Sequence, residues 1–363
     1  MKRIKTYLQH PWRFPDSPYY KYLIEYPPKN IKYFNTKNQK GAITKKGKFI
    51  LSSYLKRARH YANKLRFPFP NMRLTKEGGY DLIHCTHCLS RNKNIPWVAD
   101  FESYWQFWLS GRKTKIGVKW ANKILSGKNC KKIIAWTNLV RDDIIKIFPG
   151  IQNKIEVVYP AVPVQKLKKK HEGINLLFIG RYFYGKGGLH ALEAIDRITK
   201  ERKNVKGYII SSIPKEVLNK YSNNKKINFM GIISQEKLMN EVYPSSDIFI
   251  YPGYSDTFGF SMLEAMSFGI PTITVEGEVK DEIIDEGKTG FIVSSGNVSY
   301  KENINNYNKE VIDGMVKAAL KLIDNPELSY KMAKNCIKTI KDGKFSIKQR
   351  NEKLERIYKE AIR

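Results

Sequence analysis

Between residues 174 and 293, short apolar runs alternate with stretches of helical spacing, and this rhythm leaves few architectures open. Ile174-Asn-Leu-Leu-Phe-Ile179, Val205-Lys-Gly-Tyr-Ile-Ile210, Ile227-Asn-Phe-Met230, Ile248-Phe-Ile-Tyr251, Thr272-Ile-Thr-Val275 and Phe291-Ile-Val293 read as strands. Gly188–Lys203, Lys215–Tyr221 and Gln235–Val242 read as helices between them. Strands apolar on both faces, joined by helical crossovers, pair in parallel and need helices on either side. The fold class is therefore α/β, a doubly wound parallel sheet. From Lys309 onward the spacing is helical throughout, and no repeat of solenoid length is present.

The first half follows the same rhythm less regularly. Ile4–Leu8, Tyr80–Cys85, Ile95–Glu102, Lys132–Trp136 and Ile155–Pro160 read as strands, with helices at 115–129 and Asn138–Phe148. Between Phe49 and Leu65 the apolar positions Leu51, Leu55, Ala58, Ala62 and Leu65 recur at helical spacing, opposite Lys56, Arg57, Arg59 and Lys64. Such a helix covers a sheet and leaves a basic face outward. Ala161–Gly173 has linker composition, and 363 residues suit two domains.

Charge divides the chain unevenly. Residues 1–170 hold 36 Lys and Arg against 9 Asp and Glu, +27 of the total +31. Trp12, Phe14, Tyr19, Tyr20 and Tyr22 lie among these basic residues, so an anionic partner is expected, a membrane surface ahead of nucleic acid. No nucleic-acid motif accompanies the charge, and nucleic acid is not expected as a partner. No apolar run reaches the roughly 18 residues of a spanning helix, and the N-terminus lacks a signal peptide's apolar stretch. A cytoplasmic protein, peripheral on the inner face of the membrane, is the expectation. Four scattered cysteines fit a reducing compartment. His84-Cys-Thr-His-Cys88 has zinc-ligand chemistry but no second pair nearby, and reads better as a strand end entering a loop.

Two loops carry the chemistry. Gly180-Arg-Tyr-Phe-Tyr-Gly-Lys-Gly-Gly188 follows a strand and opens a helix, offering Arg181 and Lys186 to an anion. Ser255-Asp-Thr-Phe-Gly-Phe-Ser-Met-Leu-Glu-Ala-Met-Ser-Phe-Gly-Ile-Pro271 follows the Ile248–Tyr251 strand and enters a second helix. A helix N-terminus presents unpaired N–H groups and partial positive charge, which suits a phosphate. Loops at one edge of a doubly wound sheet can clamp one diphosphate between Arg181, Lys186 and the amides of Gly259–Met262. Glu264, placed in the first helical turn, would face ribose hydroxyls, and Asp256 a sugar hydroxyl. In the first half, the loop His10–Pro18 with His10 and Trp12, and the acids Asp100 and Glu102 at a strand end, are acceptor-binding candidates.

At these residues the chain resembles glycosyltransferase family 4, of the GT-B fold. The resemblance rests on Gly180-Arg181 with Lys186-Gly187, then Phe258-Gly259-Phe-Ser-Met-Leu-Glu264-Ala265-Met266-x-x-Gly269-x-Pro271, and the Gly-Lys-Thr-Gly-Phe-Ile292 segment. It covers residues 155–345 and is loose before them. It implies two Rossmann-like domains facing across a cleft: residues 1–162 binding the acceptor, joined by a C-terminal helix at about 345–363, and 163–344 binding the donor. It also implies a retaining hexosyltransferase that uses a nucleoside-diphosphate sugar without a metal or other cofactor. Its acceptor would be a glycan or a lipid-linked glycan. Arg181 and Lys186 would neutralise the diphosphate and Glu264 would hold the ribose. Gly180, Ile232, Phe258, Gly259, Phe260, Ser261 and Met262 would line the donor. Three departures stand out. Asp256 occupies the place of a glutamate, His10–Pro18 replaces a Gly-Gly loop, and the family's first-domain histidine has no obvious counterpart, Asp100 being the candidate for its position. A sugar-nucleotide binder without catalysis is the alternative that Asp256 raises.

Overall fold

The computed structural model describes residues 3–10, 17–36, 69–75, 78–109, 113–166, 170–254, 256–296 and 307–363. The helix expected at Phe49–Leu65 and the acceptor candidate Trp12 lie outside them. The chain divides into two compact units, one of residues 1–161 with 347–363, the other of residues 162–346.

The strands of the first unit are β1 (Ile4–Gln9), β2 (Ile31–Phe34), β3 (Met72–Arg73), β4 (Leu82–Thr86), β5 (Leu89–Ser90), β6 (Trp97–Phe101), β7 (Cys130–Ala135) and β8 (Ile155–Val157). Six of them form a parallel sheet in the order β2-β1-β4-β6-β7-β8, while β3 and β5 pair separately. The strand order reverses between β1 and β4. Every residue of β4 and β6 is buried, including the polar His84, Thr86 and Asp100. Around them Phe101 stacks on Phe107 with ring centroids 4.0 Å apart, and Trp97 and Trp108 are enclosed. Each such side chain contributes about 1.5–3 kcal/mol of apolar burial. The short apolar run at Tyr104–Trp108 is accordingly core at Phe107 and Trp108, with Tyr104 exposed.

The helix Pro18–Glu25 buries Tyr19, Tyr20, Tyr22 and Leu23. This corrects the expectation that these tyrosines line a basic, aromatic outer surface; they face the core. The last helix, Ile347–Ala361, belongs to this unit. Its Arg350 is 1% exposed and donates to the carbonyls of Tyr22 and Tyr26 at the C-terminal end of Pro18–Glu25. A cation there meets the negative end of the helix dipole.

The second unit contains β9 (Ile174–Gly180), β10 (Val205–Ser211), β11 (Ile227–Met230), β12 (Ile248–Ile250), β13 (Thr272–Val275) and β14 (Gly290–Val293). They form a parallel sheet ordered β11-β10-β9-β12-β13-β14, reversing between β9 and β12. In sheets of this kind ligands bind beyond the carboxyl ends of the strands at the reversal. The helix Gly188–Glu201 follows β9, and Phe260–Ser267 follows β12. The helices Lys309–Ile323 and Pro326–Lys341 pack on this unit, each capped by an asparagine, Asn308 and Asn325.

Candidate donor-nucleotide site

The loops after β9 and β12 meet at the reversal point of the second unit. Gly180 ends β9, and a side chain there would strike Lys186 Cβ at 2.7 Å. The loop can fold back over the strand end only because this position lacks one. Arg181 follows, half-buried. Gly187, in the left-handed region at φ 76°, precedes the helix Gly188–Glu201 and lies against Pro252. The backbone joins the two loops directly, Gly253 N–H donating to the Lys186 carbonyl at 3.2 Å.

Lys186 Nζ lies 3.2 Å from Asp256 Oδ2. Tyr251, at the end of β12, donates its hydroxyl to the same oxygen. Burial and the adjacent Asp256 carboxylate raise the Tyr251 hydroxyl well above its ordinary value, so it remains a donor. Glu278 accepts from the Asp256 N–H at 3.4 Å, and Lys280 donates to the Gly253 carbonyl at 3.3 Å. Burial pushes Glu278 up and Lys280 down, each partly opposed by the other. Glu278 holds a left-handed φ of 54°, a strained backbone for a residue other than glycine.

Gly259, at φ 83°, caps Phe260–Ser267, and a Cβ on it would meet Met262 Cε at 2.3 Å. Phe258 is buried against Phe260, with ring centroids 4.9 Å apart. Phe260 and Ser261 sit half-buried at the helix start. Met262 departs from its expected role. Its N–H donates to the Gly259 carbonyl at 2.9 Å and its side chain is buried, so it serves the turn. Glu264 is the fifth helical residue, one turn beyond the expected first turn. It is 4% exposed, with Gln235 Nε2 on Oε1 at 2.7 Å and Tyr243 Oη on Oε2 at 3.1 Å. Its carboxylate is thus fixed before any ligand contributes. Ile232 stands exposed in the loop after β11.

The acceptor candidates fall in the first unit. His10 follows β1, its ring 3.1 Å from Thr86 Oγ1 and 3.2 Å from the Asn35 carbonyl. Glu102 accepts from Gln106 Nε2 at 3.0 Å. Asp100 does not present itself to a sugar. It is fully buried, with Tyr20 Oη at 2.6 Å and His87 N–H at 3.3 Å on Oδ1, and His84 Nε2 at 3.1 Å on Oδ2. Burial alone would raise its carboxyl. The neighbouring His84 and His87 and the hydrogen bonds outweigh that and hold it below the ordinary 3.8. His84 Nδ1 in turn lies 2.6 Å from Tyr358 Oη of the last helix.

Sequence reasoning weighed His84 and His87 only as zinc ligands. Among the described residues no cluster of three or more His, Cys, Asp or Glu is placed to hold a metal ion. His87, at φ 55°, is the imidazole at the end of β4, packed between Tyr20 and Trp136. The parallel pairing of β4 with β6 sets Thr86 beside Asp100 and so brings His87 to that carboxylate. Gln235, Tyr243, Tyr251, Glu278 and Lys280 also went unrecognised. Tyr251 alone had a legible signal, as the polar end of an apolar run leading to Asp256.

Two doubly wound parallel units with paired glycine-capped loops define the GT-B fold. Residues 163–339 match the family described as Glycosyl transferases group 1. A glycosyltransferase from Rickettsia africae superposes with a TM-score of 0.67 at 18% identity, covering 100% of this chain and 99% of that one. Anabaena Alr3699/HepE in complex with UDP superposes with a TM-score of 0.63 at 13% identity, covering 98% of each. The Escherichia coli UDP-Gal:alpha-D-GlcNAc-diphosphoundecaprenol alpha-1,3-galactosyltransferase is 23% identical over 80% of this chain and 78% of its own length. Other curated relatives align over about half of their length or less. Among the described residues no helix is long and apolar enough to cross a membrane.

Proposed function

We propose that the protein is a retaining glycosyltransferase that moves a hexose-type sugar from a nucleoside-diphosphate sugar to a glycan or lipid-linked acceptor. The observation that carries this reading is the convergence at the β9/β12 reversal of Arg181, Lys186, the Gly259-capped helix N-terminus and two acids. Arg181 and Lys186 would neutralise the leaving diphosphate, with no metal required of this reading, and amides at Phe260 and Ser261 would hold its oxygens. Glu264, already fixed by Gln235 and Tyr243, would accept from ribose hydroxyls. Asp256 would contact the donor sugar. The acceptor hydroxyl would attack on the face the diphosphate leaves, passing its proton to the departing phosphate, which gives retention without an enzymic nucleophile. UDP bound to the Anabaena neighbour supports a nucleotide at this fold, and the diphosphoundecaprenol in the E. coli relative's name supports a lipid-linked acceptor.

A thermal-shift screen of nucleoside diphosphates and sugar nucleotides tests the reading. One base raising Tm selectively, as specific binding to the folded state requires, supports it; a flat response across the panel overturns it. The +27 of residues 1–170 supports attachment to an anionic leaflet, cytoplasmic and peripheral. Flotation with anionic but not neutral liposomes is expected, and equal or absent binding to both refutes electrostatic attachment.

A further inference from the structure

Asp256 is shorter by one methylene than the glutamate the family resemblance places there, and the structure shows what occupies the difference. Tyr251 is 2% exposed, its N–H bonded to the Ile273 carbonyl at 2.8 Å and its ring stacked on Phe249 at 5.2 Å. Its hydroxyl is therefore fixed by the sheet itself. That hydroxyl and Lys186 Nζ both fall on Asp256 Oδ2. Among the described residues no hydrogen bond or ion pair falls on Oδ1. Glu278 steadies the backbone behind, accepting from the Asp256 N–H. A glutamate at 256 carries its carboxylate one methylene further, and Tyr251 already stands on the oxygen that the shorter acid presents.

We infer that Tyr251 is a positioning residue that sets the reach of Asp256, and that Asp256 and an incoming diphosphate compete for Lys186. The inference rests on the donor-site reading above. Lys186 pairs with Asp256 at 3.2 Å, so an incoming diphosphate competes with that carboxylate for its charge. The exchange leaves Asp256 oriented by Tyr251, with Oδ1 directed to a hydroxyl of the donor sugar. Asp256 thus opposes nucleotide binding while serving sugar transfer, and these two effects separate in experiment.

Calorimetry of the full chain with UDP, GDP and ADP, beside turnover of the matching sugar nucleotide, tests this. Asp256→Asn is expected to bind the preferred diphosphate roughly threefold to tenfold more tightly, the scale of a partly buried ion pair released. Its kcat should fall at the same time. Tyr251→Phe should lower kcat roughly tenfold with little change in KM, the scale of one hydrogen bond to a charged group. Asp256→Glu should also lose activity alone, whereas Asp256→Glu with Tyr251→Phe should exceed both single variants, because the longer acid then has room. Asp256→Asn binding no tighter than wild type, or additive losses in the double variant, overturns the inference while leaving the donor site standing. If wild type binds none of the three nucleotides, the donor-site reading fails and the inference with it. Unchanged far-ultraviolet spectra and melting temperatures establish that each variant is folded.

Discussion

The two units use the same architecture and spend their polar residues in opposite ways. In the first, the polar residues at the ends of β4 and β6, next to the sheet reversal, turn inward. Asp100 is fully buried and joins β4, β6, the helix Pro18–Glu25 and, through His84 and Tyr358, the last helix. In the second, the acid at the reversal stays at the rim. Asp256 is braced by Tyr251 and paired with Lys186, whose charge remains within reach of a ligand. A buried carboxylate with its acceptor sites filled serves stability and register; a rim carboxylate sharing one oxygen serves exchange. A shared doubly wound architecture therefore does not fix where chemistry sits; the depth of the acid does.

This contrast is open to attack, first through Lys186. Lys186→Ala is expected to reduce transfer roughly a thousandfold, about 4 kcal/mol of electrostatic stabilisation, while its urea midpoint stays near wild type. Near-normal turnover, or a large loss of stability, would erase the difference between the units. Asp100→Ala should behave the opposite way. It strands the donors of Tyr20, His84 and His87 in the core and should cost about 3–5 kcal/mol in urea denaturation. A stable Asp100→Ala variant would mean that the network is not what holds β4 to β6.

The third effect is a matter of pH. Burial lowers His190, in the helix after β9, to about 4, while its Nε2 accepts from the Asn308 N–H at 3.1 Å. A histidine depressed in the folded state contributes its stability in full above the unfolded value of 6.5 and loses it as pH falls from there toward 4. The loss for the second unit is up to about 3 kcal/mol. In the first unit Asp100 is depressed from 3.8, so its loss begins only below that value, and burial lowers His10 from 6.5 less far than His190. All six tryptophans precede residue 162 and report the first unit alone. On acidification from pH 6.5 to 4, ellipticity should therefore decline before tryptophan emission changes. Coincident transitions would show that the units respond as one.

The two halves were also unequally legible in the sequence. In the second unit the apolar runs are short, bounded and separated by helices, so Lys215–Tyr221, Ile227–Met230 and Thr272–Val275 were read to the residue. Glycine and charge in the two loops marked the site because backbone crowding at Gly180 and the left-handed Gly187 and Gly259 leave few alternatives. In the first unit the same reasoning misplaced polar residues. Asp100 ends an apolar strand, as an acid at a ligand-binding edge does, and Tyr19, Tyr20 and Tyr22 lie among lysines as surface aromatics do. Neither pattern distinguishes an outward side chain from one whose partners arrive from Tyr358, far along the chain.

What the sequence determined by itself was the α/β class, the two glycine-rich loops that follow strands and the cations within them. Each is written in local spacing, which backbone sterics and hydrophobic period translate directly. Only the tertiary structure decided which acids are available. It placed Glu264 in the second helical turn under Gln235 and Tyr243, set Tyr251 against Asp256, and closed Asp100 inside two histidines and a tyrosine. Those decisions depend on burial and on partners distant in sequence, because a carboxylate's role is set by the dielectric and donors around it, and neither is encoded at the residue itself.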